Sequence, residues 1–495
     1  MSERTIELYP LPPNWKWMTI GEVTAPVTKI NPRETPDEKF IYLDISSIDN
    51  RRNVVTEVKS YTGKNAPSRA RQVVKAHDIL FSTVRTYLKN IALVPKQYDG
   101  QLASTGFSVL RAVEGVENKY LFYYVLSRYF LEQLNSFQRG TSYPAVRDQD
   151  VRIQPIPIPP PNEQRRIVAK IEELFSQLDA GVAALEQARA QLKRYRQALL
   201  KAAFTGRLTE AWRQAHLPDR QTGAGELEDA AALLGRIRAE REERWRAQMR
   251  AWEEAVRAWE AAGKPSKKSR KPRKPKDLPP LTEEELAELP ELPQGWAWDR
   301  LGLMTLGVEY GTSAKSQKAG KIPVLRMGNI QNFKFDWNDL VFTDDEEEIE
   351  KYLLKSGDVL FNRTNSPELV GKTAIFQGER KAIFAGYLIR INHFPEMIDS
   401  RYLNYFLNSL IARNYGNLVK TDGVNQSNIS GSKLVNYPFP YCSIAEQKEV
   451  ADALDLYLSS IDYLDQIIEQ ALARAAGLRQ AILKKAFAGE LVPPS

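Results

Sequence analysis

A stripe of apolar residues at alternating four- and three-residue spacing runs between Glu163 and Thr205, through Ile167, Ile171, Leu174, Leu178, Leu185, Ala188, Leu192, Tyr195 and Leu199. Such a heptad seam marks a helix that needs another helix beside it. It misses one beat, at Gly181, where Val182 is adjacent. Moving each position on by 283 residues, with no gap, gives Val450, Leu454, Tyr457, Ile461, Ile468, Ala471, Ala475, Leu478 and Ile482, and Leu464 fills the place of Gly181. A helix of this length rises roughly 65 Å at 1.5 Å per residue, more than one small domain can cover, so its narrow stripe requires a partner. The nearest candidate is its own copy. Antiparallel pairing of the two would put a globule at each end of a rod; parallel pairing, or two helices packed separately on their own globules, are the competing arrangements.

The helix ends are marked too. Pro160 and Pro161 can start the first helix, and "SIAE" from Ser443 to Glu446 has the form of a capping box for the second. "KAAFTGRL" and "KKAFAGEL" close them at Gly206 and Gly489, each suited to a left-handed cap.

The duplication extends through the rest of the chain. "LPPNWKW" from Leu11 returns as "LPQGWAW" from Leu292, "HDILFSTVR" around Asp78 as "GDVLFNRTN" around Asp358, and "YLFYYVL" from Tyr120 as "YLNYFLN" from Tyr402. Between the repeats of helix and doorway, short β-rich runs alternate with turn clusters and one aromatic helix. These features predict a mixed α/β fold: two pseudo-symmetric α/β domains, residues 1–160 and 292–442, separated by an antiparallel coiled coil of helices at 161–208 and 443–490. Residues 209–291 have no counterpart. They hold a charged, Trp-containing helical stretch and then a Lys/Pro-rich run, Gly263 to Lys276, that contains no acid. Such a run cannot bury a core and reads as a flexible linker, with phosphate contacts as the alternative.

With 495 residues the chain has room for about three domain-sized units. Its net charge of +7 permits a polyanionic partner. One cysteine, Cys442, leaves no disulfide within the chain, no apolar run reaches membrane-spanning length, and the first residues lack a signal-peptide core, so the cytoplasm is the expected home.

Catalytic patterns are scarce. Three scattered histidines, His77, His216 and His393, give no basis for a zinc site or a His-based acid or base. "SPELVGKT" has Ser366 where a phosphate loop needs its first glycine. Asp37, Glu57 and Lys59 match a loose magnesium-nuclease pattern, which sets up the alternative of a nuclease in its own right. A coiled-coil protein scaffold is the other alternative.

What the globules do contain is loops mixing cations with amides, hydroxyls and tyrosine, the groups that reach phosphates and base edges. The first domain offers Arg85, Tyr87, Lys89 and Asn90 in one loop, and Arg139, Thr141, Ser142, Tyr143 and Arg147 in another. The second offers Asn362, Arg363, Asn365 and Lys372, then Lys420, Thr421, Asn425, Gln426 and Asn428. The loops fall at corresponding places in the two halves yet differ more than the framework around them.

In combination, the doorways, the "HDILF" and "GDVLF" motifs, the exits "IPIPPPNEQRRIVAKIE" and "FPYCSIAEQKEVADAL", and the closing "LLKAAFTGRL" and "LKKAFAGEL" resemble the specificity subunit of type I restriction-modification enzymes. The resemblance covers both globules and both helices. It implies two target recognition domains that each read one half of a bipartite, asymmetric double-stranded DNA sequence, with the coil as a ruler between them. Half-sites read from one side lie roughly 34 Å apart, a spacing such a rod can hold. It also implies two methylation subunits and two restriction subunits as partners, with S-adenosylmethionine, ATP and magnesium on those partners and no catalytic residue or cofactor in this chain. By the same resemblance Arg69 and Arg71 join Arg85, Tyr87 and Lys89 as DNA contacts in the first domain, and Arg326 and Asn329 are candidates in the second, whose loops belong to a different subtype.

Overall fold

The computed structural model describes residues 8–140, 144–216, 227–263, 270–272, 274 and 277–493. Thr141, Ser142 and Tyr143 lie outside them, as does most of the Lys/Pro run. The chain divides into two compact units, Met1–Ala188 with Gln466–Ser495, and Arg189–Asp465. Each of the two long helices, Pro161–Phe204 and Ile444–Phe487, contributes one part to each unit.

In the first unit, strands Thr24–Ala25, Phe107–Ala112, Ile79–Ser82 and Ile91–Leu93 form an antiparallel sheet in that order. A second sheet runs Lys59–Thr62, Lys39–Leu43, Leu102–Ser104, Ala70–Val73, with one parallel pair between Leu102–Ser104 and Lys39–Leu43. Helices Asn118–Val125 and Arg128–Asn135 cover the first sheet, and their Tyr120, Tyr124 and Phe130 are fully buried against Phe81 and Leu110. The second unit repeats the first sheet as Thr305–Tyr310, Leu388–His393, Val359–Asn362, Thr373–Ile375, covered by Ser400–Leu407 and Leu410–Val419.

The repeated Asp of "HDILF" and "GDVLF" explains itself here. Asp78 accepts the Lys75 amide at 2.8 Å and takes the Arg111 guanidinium bidentately at 2.9 and 2.7 Å. Asp358 accepts the Lys355 amide at 2.9 Å and Arg390 at 3.1 Å. Both close the turn before a central strand and tie it to its neighbour.

The doorway is a clasp. In the first unit Trp15 is buried and its indole donates to Glu163 Oε1 at 3.3 Å, at the start of the first long helix. A Cβ added at Gly489, just past the end of the second helix, would collide with Pro12 of the same doorway. In the second unit Trp296 donates to Glu446 Oε2 at 2.8 Å, at the start of the second helix, and a Cβ at Gly206 would collide with Pro293. Within each unit, therefore, one doorway holds the beginning of one long helix beside the end of the other, which requires the two segments to run antiparallel. Gly206 and Gly489 take φ of 69° and 77°, and the amides of Arg207 and Glu490 reach back to the Ala202 and Lys485 carbonyls, at 2.9 Å each, as Schellman caps.

Cross-helix contacts keep the same direction. In the first unit Arg479 pairs with Asp179 and lies 4.7 Å from the Phe175 ring centroid. In the second, Arg189 pairs with Asp465 at 2.8 Å and Arg196 with Asp462. Ile167, Ile171, Leu199, Val450, Leu454, Ile461 and Ile468 are buried, and Leu174, Leu178, Leu185, Leu192 and Ile482 are half-buried.

Four expected seam residues are corrected. Tyr457, Leu464 and Leu478 are exposed, as is Tyr195. Leu458 takes the buried place instead of Tyr457, and Asp465 and Arg479 occupy the half-buried places beside Leu464 and Leu478 with their ion pairs. A helix of 3.6 residues per turn drifts by about 20° per heptad against a strict 3.5 repeat, so the buried stripe moves on to the neighbouring residue.

The insertion is also more fastened than its composition predicts. Helix Ala230–Ala261 buries Leu233, Leu234 and Ile237 in the core of the second unit. Of the described basic residues that follow, Lys271 lies over the Trp252 ring at 6.0 Å; Lys274 lies over Trp245 at 5.4 Å and pairs with Glu242 at 3.3 Å. The expected flexible linker is thus, in its described part, applied to a tryptophan stripe by cation–π attraction. Further on, Arg300 donates to the Pro279 carbonyl at 2.7 Å and to Glu285 at 2.8 Å.

Candidate nucleic-acid interface

In the first unit a tight loop caps the strand Ile79–Ser82. Arg85 and Lys89 both adopt left-handed backbone, φ 48° and 54°, on either side of a single 3-10 turn, Thr86–Leu88. Tyr87 at its apex is exposed. Asn53 secures the far side by donating to the Lys89 and Ile91 carbonyls at 3.0 Å each. Burial, with Arg128 nearby, lowers the Lys89 pKa.

The second expected loop meets this one. Val84 and Ala145 form a β-bridge, Arg139 and Ala145 another, and the Arg85 amide donates to the Pro144 carbonyl at 2.7 Å. Gln138 joins them side by side, donating to Thr86 Oγ1 at 2.6 Å. Arg69 belongs to the same surface: its carbonyl accepts the Thr105 amide, and the next carbonyl in that turn, Gly106, accepts the amide of Thr83. Arg69 is exposed, whereas Arg71 turns its Nε to the Ser68 carbonyl at 3.0 Å.

The second unit builds the same junction from different residues. Thr364–Asn365 pairs with Ser427–Asn428, which pairs with Thr421–Asp422, in the registers Thr364↔Asn428 and Thr421↔Asn428. These are the counterparts of Val84↔Ala145 and Arg139↔Ala145. Here too a turn, at Ala385–Tyr387, links the strand before Arg326 to Arg363: the Ala385 amide donates to the Leu325 carbonyl, and the Arg363 amide to that of Tyr387.

Several expected contacts prove to be fasteners. Asn329 is buried; it accepts the Arg326 amide and donates to the Asp336 and Asn338 carbonyls at 3.1 Å each, so it holds a turn and cannot reach a base. Asn362 is fully buried within its strand, with neither amide atom partnered among the described residues. Arg363 lies 4.9 Å over the Tyr310 ring and donates to the Gly386 carbonyl and to Asn428 Oδ1 at 3.3 Å each, positioning the hairpin. Lys420 donates to the Pro367 carbonyl at 3.3 Å, Asn365 accepts the Ser366 amide at 2.8 Å, and Arg326 is held on Asp339 at 3.2 Å. Arg139 is paired with Asp150 at 3.2 Å. Asn90 is half-buried and its carbonyl serves the sheet; Lys372 is half-buried, its pKa lowered by burial and by Arg413. Thr421, Asn425 and Gln426 stand exposed on the hairpin.

Sequence reasoning missed Val424, which is fully exposed between Gly423 and Asn425 at the hairpin tip. It also missed the clasp carboxylates. Glu446 reads as a capping-box residue, and its amide does donate to Ser443 Oγ at 3.2 Å, but its side chain instead takes Trp296, Thr209 Oγ1 and Arg213 Nε, each at 2.8 Å. The matching positions of Glu163 and Glu446 in the repeat were the available signal.

Asp37, Glu57 and Lys59 are all exposed, and among the described residues no three His, Cys, Asp or Glu side chains are grouped to hold a metal. Among them, too, no helix is long and apolar enough to cross a membrane.

The family model for the type I restriction modification DNA specificity domain matches residues 12–194 and 310–473. The chain belongs to this family. The specificity subunit of the EcoKI type I restriction enzyme from Escherichia coli K12 is 25% identical over 391 residues, spanning 77% of this chain and 68% of its own. The StySPI specificity subunit of Salmonella potsdam is 24% identical over 387 residues, spanning 77% and 67%. Among solved structures, the HsdS subunit from Thermoanaerobacter tengcongensis superimposes with a TM-score of 0.52 at 28% identity, covering 97% of this chain and 98% of that one. A chain solved for the assembly and conformational transition of a type I R-M system reaches 0.69 at 27% identity, covering 98% and 100%. As a type I specificity subunit, the chain supplies DNA sequence specificity within a multisubunit system and is not itself the catalyst.

Proposed function

We propose that the chain reads a bipartite, asymmetric duplex target, one half with each unit, and in the cytoplasm directs two methylation subunits and two restriction subunits to it. The observation that carries this reading is the repeated junction: Val84↔Ala145 in one unit and Thr364↔Asn428 in the other fasten equivalent loops with different side chains. One scaffold with two unlike readers suits a target whose halves differ. Base contacts fall to the exposed members, with Tyr87 and Arg69 in the first unit and Asn425 and Gln426 in the second, while the paired cations and buried amides keep the loops in place. S-adenosylmethionine, ATP and magnesium belong, on this reading, to the partner subunits.

Domain exchange tests it. Replacing residues 12–160 by the equivalent segment of a relative, ending just before the first long helix, is expected to change one half of the methylated sequence and leave the other intact. A change in both halves, or in neither, would overturn the two-reader assignment.

A further inference from the structure

The hairpin Thr421–Asn428 is fastened at its base and bare at its tip. The polar side chains of the base are spent on one another and on their neighbours. Ser427 donates to Asp422, Asn428 donates to Thr364 Oγ1 at 2.8 Å, and Thr421 accepts Lys433 Nζ at 2.7 Å. The Gly423 amide closes the turn on the Gln426 carbonyl at 2.8 Å. Beyond that closure stand three exposed side chains, Val424, Asn425 and Gln426, and among the described residues neither amide side chain has a hydrogen-bond partner.

Valine at such a tip does nothing for the fold. Turns favour Gly, Asn, Asp and Ser, and a β-branched residue gains its stability from packing in a strand, of which Val424 has none. A single exposed apolar residue is ordinary on a surface. This one differs in its place, on a rigidly held ribbon, beside two free amides, in a chain that supplies sequence specificity.

The major-groove edge of an A·T pair carries the thymine 5-methyl group next to the adenine N7 acceptor and N6 donor, and the groove admits a two-stranded ribbon. An isopropyl group matches the methyl, and a carboxamide matches the N6/N7 pair bidentately. The edge of guanine, with two acceptors, calls for Arg or Lys, and the tip has neither. We infer that this tip reads A·T pairs in the second half of the target, with Val424 on a thymine methyl and the amides of Asn425 and Gln426 on adenine. The inference rests on the two-reader function proposed above.

The full chain, assembled with the other subunits of its system, is used to select its target from a random duplex pool. Each thymine in the half assigned to the second unit by domain exchange is then replaced by deoxyuridine, which removes only the methyl. One such replacement is expected to weaken binding about fourfold, the worth of one buried methyl. Val424→Ala, at a site where nothing is buried, should bind the thymine and deoxyuridine duplexes equally. Asn425→Ala or Gln426→Ala should lose about tenfold of the discrimination at a neighbouring adenine. If no deoxyuridine weakens binding, or if Val424→Ala keeps the difference, the inference is overturned while the two-reader function stands. If the pool yields no bipartite sequence, that function falls and this inference with it.

Discussion

The Trp296 indole donates to the Glu446 carboxylate at 2.8 Å, and the same carboxylate receives Arg213, whose side chain is buried beside it. Removing the carboxylate leaves a guanidinium, an indole N–H and a hydroxyl without their acceptor in the interior. Glu446→Leu is therefore expected to cost about 3–5 kcal/mol, the range for breaking a buried ion pair. Trp296→Phe, which deletes one charge-assisted bond, should cost about 2 kcal/mol. Trp15→Phe should cost less, because its bond to Glu163 is longer, at 3.3 Å. Urea denaturation of the three variants gives the order.

Gly206 and Gly489 combine left-handed backbone with close approach of a proline ring. Alanine at either is expected to destabilise by about 2 kcal/mol or more, since the backbone strain alone is worth about 1–2 kcal/mol. Thermal melts of Gly206→Ala and Gly489→Ala should both shift downward, whereas Gly181→Ala, whose Cβ would meet open space within a helix, should raise stability slightly.

Asn362 buries an amide that has no partner among the described residues. Substitution by an apolar residue of similar size removes that cost, so Asn362→Leu is expected to leave stability unchanged or raise it by about 1 kcal/mol. Its DNA affinity should match that of the unaltered chain. A large loss of affinity in a well-folded variant would restore Asn362 as a reader.

His393 sits 2.7 Å from Ser400 Oγ, and burial lowers its pKa below the usual 6.5, against the opposing pull of the Ile391 carbonyl and of Asp358, Asp399 and Glu396. With the native value depressed, the unfolded chain binds the proton first as pH falls. The contribution is thus fully present above about pH 6.5 and is lost on acidification from there towards the lower native value. His393→Gln should flatten this part of the stability profile in urea titrations carried out across that interval.

The Arg85 amide donates to the Pro144 carbonyl at 2.7 Å, a backbone bond that a change of side chain leaves in place. Arg85→Ala is therefore expected to keep the loop junction while weakening binding to the cognate duplex about tenfold or more. If the contact is to phosphate, the salt dependence of binding should fall by about one ion at the same time. Fluorescence anisotropy at several salt concentrations measures both.

The long helices, their caps and the duplication were legible because each is written in local spacing: heptads, glycines after the last turn, and motifs at a fixed offset. The antiparallel direction was expected from the chain order, but the contacts that fix it were not legible, since the clasp joins residues as distant as Pro12 and Gly489. Individual readers were less legible still. An amide that closes a turn, as Asn329 does, and one that stands free, as Asn425 does, are the same chemistry in sequence, and burial alone separates them. The seam erred for a related reason. Arg479 and Asp465 look like surface residues until their partners across the coil are known.

The clasp also sets an order in time. Phe487 packs edge-on against Tyr120 and Tyr124, with ring centroids 5.2 and 5.0 Å apart, and Leu483 and Ala486 are buried in the same core. A ribosome delivers Tyr120 early and Phe487 late. The domain translated first is thus completed last: until the second long helix has emerged, the nascent chain carries an open aromatic core that only its own closing turn can seal.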